Sequence, residues 1–158
     1  QAKVHLPLAP AHQISEVTPL RADGNTPMGA AFAEARALIE DKERIPSRAY
    51  RPVLVLVSDG HLTDSWEQAF DALCGSERAQ KATRFAMAIG ADADVDMLGR
   101  FANDKESPVF KAHEARDIHR FFHAVTMSVT ARSRSATPNS AAPLILAAIP
   151  DDDLDLDF

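Results

Sequence analysis

A chain of 158 residues, 46% of them hydrophobic, is long enough to bury the core of one domain. A net charge of −6 and a pI near 5.4 set most of its surface against nucleic acid and anionic membranes, which repel an acidic protein. Cys74 is the single cysteine, CxxC spacing is missing and no N-terminal signal segment is seen, so a reducing, cytoplasmic setting is expected. No run reaches the roughly eighteen apolar residues of a membrane span.

Residues 1–10, QAKVHLPLAP, alternate at Val4, Leu6 and Leu8 and predict a half-exposed edge strand over 3–8, cut short by Pro7 and Pro10. From Met28 the apolar positions Met28, Phe32, Ala35 and Ile39 follow the spacing of one helix face, to an end near residue 42. Residues 53–58, VLVLVS, are apolar without alternation, as in a parallel strand covered on both faces, and are the best candidate for a central strand.

Asp64 with Glu67 three residues on reads as a capping box, opening a helix through Trp66, Phe70 and Leu73 to about residue 81. RFAMAIG at 84–90 is a second buried strand. A short helix over 95–102 leads to a third strand at 108–112, then to a last helix with the stripe Ile118, Phe122, Val125 and Val129. Strands and helices in alternation, joined by right-handed crossovers, predict a parallel sheet with helices on both faces. The three strands should be neighbours in chain order, with the 3–8 strand apart from them. From residue 131 the chain turns small, polar and proline-bearing, the composition of a linker or disordered tail, and it ends in the acidic DDDLDLDF.

In open α/β sheets ligands gather at the carboxyl ends of strands, where Asp59 sits and Gly60 lets the backbone turn away. Thr26 stands at the mouth of a helix, with Pro27 at its first position and Gly24 and Gly29 keeping the loop close to its neighbours. A hydroxyl and a carboxylate are oxygen ligands of the kind Mg²⁺ prefers. The plainer readings are an N-cap for Thr26 and a turn for Asp59-Gly60.

The run from residue 1 to about 135 resembles the C-terminal two-thirds of a von Willebrand factor A domain, most closely the bacterial tellurium-resistance TerY-like group. The matching stretches are KVHLPLAP, GNTPMGAAFAEARALIE, YRPVLVLVSDGHLTDSW, RFAMAIGADADVDML and IHRFFHAVTMSVTARSRS. The resemblance implies a three-layer α/β/α Rossmann-like fold with a mostly parallel sheet over residues 1–131, residues 132–158 being linker and acidic tail. It also implies a metal-ion-dependent adhesion site with Thr26 and Asp59 as ligands, flanked by Asn25, Gly60 and His61 on the partner side. In such sites Mg²⁺ or Mn²⁺ keeps an open position that a partner protein's Asp or Glu carboxylate fills.

The family's first motif, Asp-x-Ser-x-Ser, is not in the sequence; Ser133-Arg134-Ser135 lacks the aspartate. A domain of about two hundred residues would then lack roughly seventy at its N-terminus, so the chain is read as a fragment that binds no metal tightly alone. The expected function is a protein-binding module rather than an enzyme, in a bacterial tellurite or stress response. The alternative is a metal-independent scaffold with a decayed site.

Three rivals are weaker. Ser58, Asp59 and His61 lack the geometry of a hydrolytic group, because adjacent strand residues point to opposite faces and no GxSxG elbow exists. His119 and His123, four apart without a Glu or Cys beside them, read as a solvated face. GNTPMG has no Lys-Ser/Thr and is not a phosphate loop. In the tail, the plainer reading of DDDLDLDF is a solvated, disordered end; the other reading is that Leu154, Leu156 and Phe158, alternating with Asp155 and Asp157, form an extended strip that binds a partner and is disordered alone.

Overall fold

The computed structural model describes residues 2–21, 24–103 and 109–140. The chain divides into two compact units, one formed by residues 1–49 and 62–76, the other by residues 50–61 and those from 77 on.

In the first unit the expected strand over 3–8 is not formed, and Val4, Leu6 and Leu8 are exposed. Pro7 and Pro10 cannot donate to a ladder, and residues 3–8 pair with no described strand. A 3₁₀ turn, Ala11–Gln13, follows, and the ring of His5 reaches the Thr18 carbonyl at 2.7 Å. Helix α1 spans Met28–Glu40 and buries Met28, Phe32 and Ile39, the face that the spacing predicts. Asp41 closes it, its Oδ1 accepting the backbone N–H groups of Glu43 and Arg44. Helix α2, Glu67–Cys74, buries Phe70 and Leu73. The Phe70 ring meets Phe32 of α1 at 5.3 Å and Trp66 at 5.4 Å, both edge to face, a geometry that adds to the burial of the rings.

The helix expected to run on to about residue 81 breaks instead at Gly75-Ser76. The Gly75 N–H closes on the Asp71 carbonyl at 2.9 Å, and a Cβ at Gly75 would stand 2.8 Å from that same oxygen. A separate helix α3, Glu77–Lys81, restarts in the second unit and carries a Lys81–Glu77 ion pair.

The second unit holds three parallel strands, β1 Val53–Ser58, β2 Thr83–Ile89 and β3 Phe110–Ala112, in the order β1-β2-β3. Val53 pairs with Thr83 and Met87 with Phe110, so the expected neighbour order is found. Two details differ. The middle strand of the described sheet is β2, with five successive buried residues, whereas β1 is only partly buried up to Ser58. The third strand begins at Phe110, and residue 108 lies outside the described residues.

Alternation sorts the strand side chains onto two faces. One face packs Phe85, Met87 and Ala112, with Val53, Val55 and Val57, against Phe121 and Ala124 of helix α5, Ala115–Arg134. On the other, Arg84 lies over the Phe101 ring of helix α4, Val95–Phe101, with its guanidinium carbon 5.8 Å from the ring centre. Asn103, just beyond α4, accepts the Arg84 N–H and donates to the Ala82 carbonyl, both at 2.8 Å. Asp94 caps α4 by accepting the Met97 N–H. The layers are therefore helix, sheet, helix.

The stripe expected on α5 is turned by one residue. Phe121 and Ala124 are buried and Ile118 and Val125 partly so, whereas Phe122 is 45% exposed and Val129 38%. Adjacent phenylalanines leave the phase open in sequence; the stacking of Phe121 on Phe110, 5.6 Å between ring centres, decides it. The helix also continues past residue 131, the expected start of the linker. Arg132 is buried, and Asn139 accepts the Arg51 N–H at 2.9 Å, so residues 132–140 pack onto the unit. The acidic end, with Leu154, Leu156 and Phe158, lies outside the described residues. Among the described residues no helix is long and apolar enough to cross a membrane.

Candidate metal-ligand and partner site

The start of α1 is built differently from the local cap that the sequence predicts. Pro27, not Thr26, is the N-cap residue, and no side chain of that cap residue bonds the helix. The two N–H groups that a capping side chain would take, those of Gly29 and Ala30, go instead to the Asp64 carboxylate, at 3.0 and 3.2 Å. A negative group there also answers the positive end of the helix dipole. Asp64 therefore caps α1 rather than α2, whose own N-cap residue, Trp66, supplies no side-chain cap.

Gly29 permits this approach. A Cβ at that position would meet the Ser65 carbonyl oxygen at 2.9 Å and the Trp66 Cα at 3.0 Å. The Thr26 carbonyl adds a clasp, accepting the Met28 N–H at 2.9 Å and the Thr63 N–H at 3.2 Å. Gly24 supplies the positive φ, +82°, that the loop before it requires. With the cap supplied by Asp64, the Thr26 hydroxyl is half-buried and has no hydrogen bond among the described residues. Asn25 beside it is exposed.

In the second unit, Asp59 follows the last residue of β1 and is exposed. Its position is fixed by its neighbour: Ser58 is 5% exposed and its hydroxyl donates to the Gly60 carbonyl at 3.2 Å, pinning the turn. The Asp59 carboxylate has no hydrogen bond or ion pair among the described residues. His61 is exposed and Gly60 half-buried. A buried Ser58 whose proton points at a carbonyl is a poor nucleophile beside an exposed aspartate, which counts against the hydrolytic reading.

The structure thus gathers Asn25, Thr26 and Asp64 at the head of α1, and Asp59, Gly60 and His61 at the carboxyl end of β1. Thr26 and Asp59 belong to different units. Each is an oxygen donor of the kind a hard divalent ion takes, and neither side chain has a partner among the described residues. Among the described residues no group of three or more His, Cys, Asp and Glu side chains is arranged to hold a metal. His119 and His123 are both exposed on α5.

Sequence reasoning missed Asp64 as the organiser of this loop. The available signal was the Thr-Asp pair at 63–64, close behind the strand's Asp-Gly. At the head of α5 a capping box forms between Glu114 and Asp117. There the backbone N–H of His113, then that of Glu114, holds the Asp117 carboxyl below its ordinary pKa by stabilising the charged form.

A parallel three-stranded sheet flanked by helices, with a free carboxylate at a strand's carboxyl end, defines an α/β domain of the Rossmann-like class. The family model of the von Willebrand factor type A domain matches residues 9–124, and the chain belongs to that family. The family's domains generally serve as protein-interaction modules. Comparison with curated proteins and with solved structures returned no match.

Proposed function

We propose that this chain is the protein-binding part of a metal-dependent von Willebrand factor A module, with Thr26 and Asp59 as ligands to Mg²⁺ or Mn²⁺. The observation that carries the reading is that both oxygen donors are released from structural work. Asp64 takes over the capping of α1, and the Ser58 hydroxyl, not Asp59, ties down the turn after β1. When bound, the ion supplies a Lewis-acidic position that accepts a partner's Asp or Glu carboxylate. Thr26 and Asp59 would hold the ion by their oxygens, and Asn25, Gly60 and His61, their neighbours in the chain, would meet the partner.

An acidic protein then binds an acidic partner through a cation, which reconciles the net charge of −6 with a carboxylate ligand. The role is binding, not catalysis, in the cytoplasm, and the finer assignment is to the TerY-like group and a bacterial tellurite or stress response. Full metal affinity requires an Asp-x-Ser-x-Ser segment, which the sequence does not contain. Titration calorimetry with Mg²⁺ and Mn²⁺ tests this. The chain alone should bind weakly or not at all, a form preceded by that segment should bind, and Asp59→Ala should abolish the gain. Tight binding by the chain alone, or binding indifferent to Asp59→Ala, would favour a metal-independent scaffold.

A further inference from the structure

Beside the start of β1, the second unit opens a cavity of about 320 Å³ between the strand and the end of α5. Val53, Val129 and Pro138 form its apolar wall, and Tyr50, Arg51 and Ser133 add polar groups. Arg132 also lines it and is only 8% exposed. Its Nε donates to the Pro138 carbonyl at 3.2 Å and its Nη1 to the Thr83 hydroxyl at 3.1 Å, both neutral acceptors. Among the described residues the second terminal nitrogen has no hydrogen bond, and no carboxylate pairs with the guanidinium.

A buried cation without a counter-charge is costly, and the guanidinium fork is shaped to take a carboxylate with two parallel bonds. Arg51 brings a second positive charge to the same cavity, steadied by bonds from its backbone N–H and its Nη1 to Asn139. In a chain of net charge −6, two arginines lining one cavity without an acidic neighbour among its described lining residues call for an anion with an apolar side.

The chain carries such a ligand. Residues 151–158, DDDLDLDF, hold five aspartates interleaved with Leu154, Leu156 and Phe158. The eleven steps from Ser140 to Asp151 reach at most about 36 Å, and a tether of that length holds a segment at roughly millimolar effective concentration. We propose that the cavity is a carboxylate-binding site for the chain's own segment 151–158, with an aspartate on Arg132 and Arg51 and the apolar edge of the segment against Val53, Val129 and Pro138. The acidic strip is then first a ligand of its own domain, and is available to a partner only after release.

The test uses the full chain and the variant D151N/D152N/D153N/D155N/D157N, with the synthetic peptide DDDLDLDF as the added probe. The amide resonances of Val53, Val129 and Arg132 should differ between parent and variant, independently of protein concentration. The peptide should bind the five-Asn variant at least about tenfold more tightly than the parent, whose cavity is already filled. Adding Arg51→Gln to the variant should weaken the peptide by about tenfold, as should raising the salt. Arg132→Lys, which keeps the charge and removes the fork, should also weaken it. If Arg132→Lys fails to fold, Arg51→Gln and the peptide NNNLNLNF carry the decision. Equal peptide binding by parent and variant, unperturbed cavity resonances, or differences that vanish on dilution and so point to a second copy would each overturn the proposal.

Discussion

The Asp64 cap gives the most direct access to what holds the first unit together. Asp64→Ala removes the acceptor of two helix N–H groups, at 3.0 and 3.2 Å, and leaves Gly29, which is buried, without a partner for its donor. An N-cap side chain is worth about 0.5–2 kcal/mol, and a charged acceptor at the helix's positive end adds about 0.3–1 kcal/mol. The bonds are of ordinary length and the carboxylate is half-buried, so the expected loss is about 2 kcal/mol. In a chain of this size that lowers the melting temperature by roughly 4–8 °C. Asp64→Asn keeps one acceptor oxygen and should lose about half as much. Urea denaturation gives the free energies, and hydrogen exchange at Gly29 and Ala30 shows whether the loss sits at the start of α1. A cost under about 0.5 kcal/mol for Asp64→Ala, or exchange at those two amides no faster than in the parent, would refute the reasoning.

Gly29→Ala gains up to about 1 kcal/mol of helix propensity but drives a Cβ into the backbone at Ser65 and Trp66, so urea denaturation should show a net loss of about 1 kcal/mol or more. Phe121→Ala should cost about 3–4 kcal/mol and Phe122→Ala under about 1 kcal/mol, a contrast that reads the phase of α5 from two unfolding curves. The lowered pKa of Asp117 means that its contribution is present above the ordinary carboxylate pKa and lost as pH falls through the lowered one. The gap in urea midpoint between parent and Asp117→Asn should therefore be largest near neutrality and close below about pH 4.

What was legible in the sequence was mostly local or strongly periodic. The unbroken apolar runs at β1 and β2, the face of α1 and the order of the parallel strands are visible without the fold, because burial on two faces or on one stripe leaves its period in the chain. The edge strand over 3–8 shows the limit of alternation as a signal: Pro7 and Pro10 remove donors that a ladder needs, whatever the pattern around them. The phase of α5 was hidden because Phe121 and Phe122 fit two stripes equally, and only Phe110, eleven residues away, chooses between them. Thr26 and Asp59 could be named as oxygen donors from their flanking residues. That Thr26 is spared from capping follows from Asp64, 35 residues beyond Gly29, a relation that no window of helical length contains.

The parallel register of the sheet bears on how the second unit reaches its native state. Val53 must find Thr83 about 30 positions along the chain, and Met87 must find Phe110 about 23 positions along. Closure entropy grows only as the logarithm of loop length, so the two events differ by about 0.2 kcal/mol and chain statistics give neither a lead. Both, however, need β2, the strand that pairs on each side in the described sheet. Ordering of Thr83–Ile89 is thus the step that both pairings share, and α3 and α4, five and seven residues long, are too short to hold without the strand they flank. A chain organised this way gathers its sheet outward from the middle.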